Sequence, residues 1–418
     1  MQWKARLDRQ LRIEGWDQRA LEAARIGVVG DDDRLASLYV MSASALGLNH
    51  LVVIAPRLDD ALLEAAQKVN PELDLTLIEG FYTHPVLDDI FAGCQAIVDL
   101  SRYGLANKLL LEKGYREHIP IIRGFCYEQN GEQGFKVFTY LRGREWLELE
   151  ELVSSHHLPG ASVDEGVLDM IAAGIIVEET KNLLMGQRVS EEVITYKRKK
   201  MAAIPRESVI CVVGAGALGN FVGLGLAYSG FRNITFMDPD VVEVTNLNRQ
   251  VFLADGVGLS KAAILSERLN HLYGIRAQPN VAFFNEETDI SPYDVIFDCV
   301  DNFETRIVLS EKCKAQNKPL ISGGTNPDAG QVVVYDPAQS HGTPAEQLGL
   351  YEIVAERKIE SNDQERAACT YRVDPSVIMA NQIIGGIMVD TYRILLDSQV
   401  TLNVFYESTS DKKISVMC

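Results

Sequence analysis

Asn246-Leu247-Asn248-Arg249-Gln250 puts three polar amides and a guanidinium into five consecutive positions, and Lys261 follows shortly after. Further on, Asp298-Cys299-Val300 leads into Asp301-Asn302, with Arg306 close behind. Fixed cations of this kind compensate the charge of a triphosphate, which a nicotinamide site does not require. A carboxylate beside them can hold magnesium against phosphate oxygens. Taken singly, Arg249 and Lys261 read as solvated surface. In this combined order they read as phosphate ligands, with Asp301 as the magnesium ligand.

Such groups need a scaffold that brings them to one edge, and the preceding residues predict one. Val209 to Val213 is an apolar strand. It runs into Gly214-Ala215-Gly216-Ala217-Leu218-Gly219 and a helix through Tyr228, and a second strand, Ile234 to Met237, ends at Asp238. This is a βαβ unit with a glycine-rich turn. The Gly214-x-Gly216-x-x-Gly219 pattern alone is weak, because dinucleotide enzymes use it as readily as ATP enzymes. Asp238 stands where an acid can accept hydrogen bonds from ribose hydroxyls, which again suits either class. Asp301 follows the strand Val295 to Asp298, at the carboxyl edge where open α/β sheets bind ligands.

The N-terminal part repeats the same plan. Ile26 to Gly30 is a strand, Leu35 to Leu46 a helix and Leu51 to Ile54 a strand. Asp99, Ile119-Pro120-Ile121-Ile122 and Gly134 to Tyr140 echo Asp298, Lys318-Pro319-Leu320-Ile321 and Gly330 to Tyr335. The fold class expected is α/β, two Rossmann-like halves with mostly parallel sheets, duplicated within one chain. The expected division is an inactive half over 1–147, a helical linker over 148–205, and an active half over 206–418 with a short catalytic-cysteine segment at about 337–375.

The first copy lacks the chemistry. Set against Gly214, Gly30 is followed by Asp31-Asp32-Asp33, carboxylates where an anion site needs backbone N–H groups. Ala55 takes the place of Asp238, and Arg102 that of Asp301. The stretch from Ala55 to Asn70 is too short to hold a counterpart of Asp240 to Lys261. This half is expected to bind no nucleotide and to serve as a structural partner.

Bulk properties narrow the class. The 418 residues are 47% hydrophobic and 23% charged, as in ordinary globular chains, and carry a formal net charge of -18. Acidic residues spread along the chain argue against nucleic acid as a partner. Seven cysteines without a CxxC pair argue against a disulfide framework and a structural zinc. Met1 to Leu11 is too charged for a secretory signal. Val377 to Leu396 contains Asn381, Gln382, Asp390 and Arg393, so it reads as a buried helix with a close-packing Gly385-Gly386 pair and not as a membrane span. The cytoplasm is the expected compartment.

The combined block resembles the adenylation domain shared by ubiquitin-activating enzymes and the sulfur-carrier adenylyltransferases of thiamin and molybdopterin synthesis. The matching features are the Gly214 to Gly219 turn, Asp238-Pro239-Asp240, Asn246 to Gln250, Lys261, Asp301-Asn302 and Gly330-Gln331-Val332, within Ile210 to about Leu396. The resemblance implies that Asp238 holds ribose, that Asn246, Arg249 and Lys261 hold phosphates, and that Asp301 binds magnesium near the α-phosphate. It also draws Asp240, Asn248, Gln250 and Asn302 into the nucleotide site. Leu7-Asp8-Arg9-Gln10-Leu11-Arg12, with Gly15 and Ala20-Leu21, resembles the opening of the inactive half of two-part ubiquitin-like activating enzymes. There the arginine matching Arg9 crosses to the ATP of the active half; a helix-surface arginine is the plain alternative. Arg198 and its neighbouring lysines are a rival source of that cation.

A thioester step would need an accessible thiolate. Cys94, Cys211, Cys299 and Cys313 read as packed residues and Cys418 as terminal. Cys369, in Cys-Thr-x-x-x-x-Pro ahead of the last helix, resembles the catalytic-cysteine motif of ubiquitin-like activating enzymes. The chain departs from many relatives in lacking the zinc-binding CxxC pairs. Its segment from Asp336 to Cys369 is too short for a large cysteine domain, and after Leu396 it offers no room for a ubiquitin-fold domain. The function the resemblance implies is ATP-dependent adenylation of the C-terminal carboxylate of a ubiquitin-like protein with a flexible, small-residue tail, then thioester formation on Cys369. A conjugating enzyme is a possible further partner, and the assembly is a monomeric pseudo-dimer or a homodimer. The alternatives are an adenylyltransferase of sulfur carriers or peptides without a thioester, a nicotinamide oxidoreductase, and an inert scaffold.

Overall fold

Strands of four to nine residues, the central ones apolar runs, form two sheets. The computed structural model describes residues 3–31, 33–143, 153–154, 156–159, 163–339, 341–356 and 374–417. In the first sheet β1 (Arg25–Gly30), β2 (His50–Ala55), β3 (Asp74–Glu79), β4 (Ala96–Leu100) and β5 (Ile121–Gln129) run parallel. β6 (Glu132–Tyr140) and β7 (Ile194–Lys199) continue it antiparallel, in the order β3-β2-β1-β4-β5-β6-β7.

The second sheet repeats that order with one strand more. It comprises β8 (Val209–Val213), β9 (Asn233–Met237), β10 (Arg276–Asn280), β11 (Val295–Asp298), β12 (Leu320–Thr325), β13 (Ala329–Tyr335), β14 (Asn403–Glu407) and β15 (Ile414–Met417), in the order β10-β9-β8-β11-β12-β13-β14-β15. β1 and β8 are covered on both faces and accordingly read as unbroken apolar runs rather than alternating ones.

Strand register fixes the correspondence of the halves residue by residue. Val29 pairs with Ile54 and with Asp99, and Val213 pairs with Met237 and with Asp298. One residue further along, Gly30 matches Gly214 and Ala55 matches Asp238. Asp99 matches Asp298, so Arg102 falls opposite Asp301.

Four helices fill the space between the sheets: α1 (Asp33–Leu46) and α2 (Val167–Leu184) from the first half, α3 (Ala217–Tyr228) and α6 (Ile378–Ser398) from the second. The labels α4 (Lys261–Tyr273) and α5 (Phe303–Ala315) are kept for two helices near the site. α2 and α6 are buried on nearly every side, so they lack a polar face. Small residues let them meet closely. A Cβ on Gly385 would lie 2.6 Å from Cβ of Phe221 on α3, and one on Gly386 would lie 2.5 Å from Cγ1 of Ile171 on α2. The close-packing role read from this glycine pair is what the helices use. No helix among the described residues is long and apolar enough to cross a membrane.

The span 148–205 is not a linker where it is described. α2 packs on β5 and β6, and β7 pairs with β6, so these residues complete the first half. The expectation failed because β7 is short and charged (Ile194-Thr195-Tyr196-Lys197-Arg198-Lys199). Only alternate residues face inward there, the pattern of a strand exposed on one face.

Arg198 is likewise not free to act elsewhere. Its Nε donates to Asp390 Oδ1 at 3.0 Å and its Nη2 to Asp164 Oδ1 at 3.1 Å, while Arg393 Nη2 donates to Asp164 Oδ1 at 2.8 Å. Burial alone would raise the Asp164 carboxyl, but the guanidiniums of Arg393 and Arg198 hold it far below the usual carboxylate range. Two of the neighbouring lysines are engaged too, Lys197 with Glu132 at 3.2 Å and Lys200 with Glu128. A second buried pair, Lys413 with Glu179 at 3.2 Å, joins the halves elsewhere. Glu179 and Asp390 occupy the same position along α2 and α6, so the duplication extends to the ion pairs that clamp it.

Candidate active site

The turn from β8 into α3 can be built only from glycine at two of its positions. Gly214 has φ +100°, and a Cβ there would lie 2.6 Å from the carbonyl oxygen of Cys299. A Cβ on Gly219 would lie 2.0 Å from the carbonyl oxygen of Gly214. At Gly216, by contrast, a Cβ would meet only Nε2 of Gln250, at 3.7 Å. The turn is therefore packed tightly on its inner side and open at Gly216. It delivers the first N–H groups of α3, the positive end of the helix dipole, to that opening.

Asp238, just beyond β9, braces the turn from beside it. Its Oδ2 accepts from Ala215 N at 2.7 Å and its Oδ1 from Asp240 N at 2.8 Å. Burial raises this carboxyl above its ordinary value, while the amide of Asp240 and the charge of Lys261 oppose the rise. Lys261, the first residue of α4, donates from Nζ to Asp240 Oδ2 at 2.8 Å. Both residues thus stand beside the glycine turn, engaged with one another.

The segment 243–250 forms tight turns held by its own side chains. Asn246 and Glu243 cap one turn reciprocally, with Glu243 N donating to Asn246 Oδ1 at 3.0 Å. Arg249 donates from Nη1 to Asn248 Oδ1 at 2.8 Å and to the carbonyl of Thr245 at 3.0 Å. Burial, and next the positive charge of Arg9, push the Arg249 guanidinium down to about 10, against the opposing charges of Asp301 and Glu243. Gln250 turns its amide toward Gly216 and leaves its buried Oε1 without a hydrogen-bond partner among the described residues.

Asp301 and Asn302 lie exposed between β11 and α5. Asn302 has a structural duty, capping α5 by accepting from Thr305 N at 2.8 Å. Arg306 is wholly engaged in setting this loop. It donates to Asp298 Oδ2 at 3.3 Å, Ser322 Oγ at 2.9 Å and the carbonyl of Val300 at 2.6 Å. It is the strut beneath Asp301 rather than a free cation.

Arg9 comes to this place from the other half of the chain. Its Nη1 donates to the carbonyl of Asp374 at 3.1 Å, and its buried Nε has no hydrogen-bond partner among the described residues. Its charge bears directly on Arg249, as does that of Asp301. The arrangement therefore gathers Arg9, Arg249 and Asp301, with Asp238, Asp240 and Lys261 around the glycine turn. Cys369 and Cys418 lie outside the described residues; Cys94, Cys211, Cys299 and Cys313 are buried.

The first half shows the same site closed from within. Asp31, at the turn after Gly30, accepts from Arg102 N at 2.7 Å, and Arg102 Nη2 meets His156 Nε2 at 3.1 Å. A fixed carboxylate thus occupies the mouth of the turn, and Asp60–Val69 follows β2 directly, leaving no counterpart of the 240–261 loop. Asp32 lies outside the described residues.

Fold and site together define a doubled Rossmann-like α/β protein with cations gathered at the glycine turn of its second half. It belongs to the ThiF family, whose model matches residues 170–413. The chain is 37% identical over 136 residues to the adenylyltransferase and sulfurtransferase MOCS3 of Anopheles gambiae, covering 31% of this chain and 31% of that protein. It is 36% identical over 144 residues to the sulfur carrier protein adenylyltransferase of Thermus thermophilus, covering 33% of this chain and 53% of that one. The matches thus span about a third to a half of these relatives' length. Among solved structures, MccB of E. coli in complex with ATP aligns with a TM-score of 0.42 and 20% identity, covering 51% of this chain and 64% of that one.

Gln10, which the N-terminal motif contains without marking it as a ligand, reaches the 243–250 segment: its side chain accepts from Asn248 Nδ2 at 2.9 Å. Its position beside Arg9 is the one signal that pointed to it.

Proposed function

We propose that this protein adenylates the C-terminal carboxylate of a ubiquitin-like carrier with ATP, and then takes the acyl group onto Cys369 as a thioester. The observation that carries the reading is that Arg9 and Arg249, from different halves of the chain, lie near enough for the charge of one to bear on the other, their neighbours Gln10 and Asn248 being hydrogen-bonded. Like charges held near one another call for an anion between or beside them, and Arg9 Nε is a buried donor without a partner among the described residues. A polyphosphate answers that demand, and the open side of the turn at Gly216 suits its approach. A nicotinamide cofactor would leave the paired cations unexplained.

Asp301 would hold magnesium, which neutralises phosphate charge when bound. An exposed single carboxylate fits an ion that is usually held by one or two carboxylates plus substrate phosphates. Asp238, braced by the amides of Ala215 and Asp240, would accept from ribose hydroxyls. Lys261 would exchange Asp240 for phosphate oxygens.

The chemistry is an exchange at phosphorus followed by one at carbon. A carrier carboxylate oxygen attacks the α-phosphorus and the bond to the bridging oxygen of the β-phosphate breaks, releasing pyrophosphate. Arg9, Arg249 and Lys261 stabilise the charge on the transferring and departing groups, where fixed donors contribute most. The thiolate of Cys369 then attacks the carbonyl carbon of the acyl-adenylate, and AMP leaves. Asp374, whose carbonyl meets Arg9, follows Cys369 by five residues, a chain reach of at most about 18 Å.

A second reading stops after the first exchange and passes the adenylate to a sulfur donor. The names of the relatives in Anopheles and Thermus favour it. Incubation with magnesium-ATP and a ubiquitin-like carrier, followed by a non-reducing gel, separates the two. A thiol-labile adduct that disappears in Cys369→Ala supports the thioester. Adenylated carrier that forms equally in both proteins, with no adduct, supports the second reading. The cytoplasm is the compartment proposed, and Arg9 is proposed to serve the site of its own chain, in a monomeric pseudo-dimer or a homodimer.

A further inference from the structure

We infer that Gln10, in the inactive half, is a positioning residue for Arg249 of the active half, acting through Asn248. The inference rests on the reading of Arg249 as a phosphate ligand. Gln10 is fully buried, and its amide is used at both ends. Nε2 donates to Gln18 Oε1 at 2.7 Å and to the carbonyl of Leu46 at 2.8 Å, which closes the C-terminus of α1. Its Oε1 accepts from Asn248 Nδ2 at 2.9 Å, and Asn248 Oδ1 in turn accepts from Arg249 Nη1 at 2.8 Å. The relay runs from the end of a helix in one half to a cation of the other without an exposed link.

Its foundation is rigid. Gln18 Oε1 also accepts from Trp16 Nε1 at 3.0 Å. Gly47, at φ +101°, lets the Gln18 amide approach so closely that a Cβ there would lie 2.3 Å from Nε2. The orientation of Gln10 is therefore set by contacts that do not involve Asn248, and Asn248 is held again by donating to the carbonyl of Ser376 at 3.3 Å.

Arg249 needs such a hold. Arg9 stands close enough to disfavour its charge, so an unpinned guanidinium would swing away from its neighbour. Among the described residues the hydrogen bonds of Arg249 leave from Nη1, one to Asn248 and one to Thr245. They fix one edge of the fork, and the other is the edge assigned to the anion. The inactive half thus does more than contribute Arg9: it sets the second guanidinium as well.

The test measures the affinity for magnesium-ATP by isothermal titration in the full chain, for wild type, Arg249→Ala, Gln10→Met and the double variant. Arg249→Ala is expected to bind about tenfold or more weakly, the loss of a charge-assisted contact. Gln10→Met keeps the volume but cannot accept from Asn248, and is expected to weaken binding several-fold. The double variant is expected to bind as Arg249→Ala does, because the relay then has nothing to orient. A merely structural role for Gln10 would give losses that multiply. Unchanged affinity in Gln10→Met, or multiplied losses, overturns the inference while leaving Arg249 in its role; unchanged affinity in Arg249→Ala overturns the underlying reading. Should Gln10→Met melt early, Asn248→Ser severs the same relay from the active side and obeys the same criterion.

Discussion

Arg9 donates from Nη1 to the carbonyl oxygen of Asp374 at 3.1 Å, a contact between residues 365 positions apart. It ties the opening motif of the first half to the segment that leads into the last helix of the second. Arg9 is half-buried, and among the described residues its one hydrogen bond goes to a carbonyl, so its charge has no carboxylate partner there and bears on Arg249, as does that of Asp301.

The glycine turn should be the least tolerant place in the site. Gly219→Ala forces a Cβ to within 2.0 Å of backbone oxygen, with no flexible side chain to give way. Thermal or denaturant unfolding is expected to show a loss of about 1–3 kcal/mol, together with loss of nucleotide binding. Gly216→Ala, which meets only the end of Gln250, should fold as wild type.

Asp238 should trade stability for binding. Burial raises its carboxyl, so the ionised form burdens the empty protein at neutral pH, and the burden lifts as pH falls through the raised value. Ribose hydroxyls need the ionised form, so nucleotide affinity should fall over that same descent. Asp238→Asn is expected to flatten the pH dependence of affinity, to weaken binding at neutral pH, and to melt earlier than wild type, because its Nδ2 would face the N–H of Ala215 or Asp240 where a carboxylate oxygen accepts.

The clamp between the halves responds to acid in the opposite sense. Burial opposes it, but Arg393 and Arg198 hold the Asp164 carboxyl well below the ordinary range. Its stabilisation is complete above the unfolded value, about 4, and is lost as pH falls through the depressed folded value. Asp164→Asn should therefore lose stability at neutral pH and show a shallower acid slope in a melting series. Removing Asp390, which holds Arg198 at 3.0 Å, should cost about 3–5 kcal/mol by stranding buried guanidiniums.

Much of this was legible in the sequence because it depends on local pattern. The glycine turn, the strand ends bearing Asp238 and Asp298, the duplication and the carboxylate at the first half's turn all follow from spacing and side-chain type. The pairing of β7 with β6 did not, since a strand buried on one face only and rich in lysine carries little apolar signal. Arg198 looked available because nothing in sequence links it to Asp390, on a helix nearly two hundred residues later. Lys261 and Asn302 were read as ligands, but whether a polar side chain is already engaged, as these are with Asp240 and Thr305, is settled by packing. The role of Gln10 needed both halves in place before it could be seen.

The central claim is that the two halves build one anion site, with Arg9 supplied by the half that has lost its own. ATP–pyrophosphate exchange in the presence of magnesium and a ubiquitin-like carrier tests it most directly. Carrier-dependent exchange is expected in the wild type, falling by about 10²–10³ in Arg9→Ala at unchanged melting temperature. Arg198→Ala that still folds should retain the exchange. Exchange undiminished in Arg9→Ala would contradict the account.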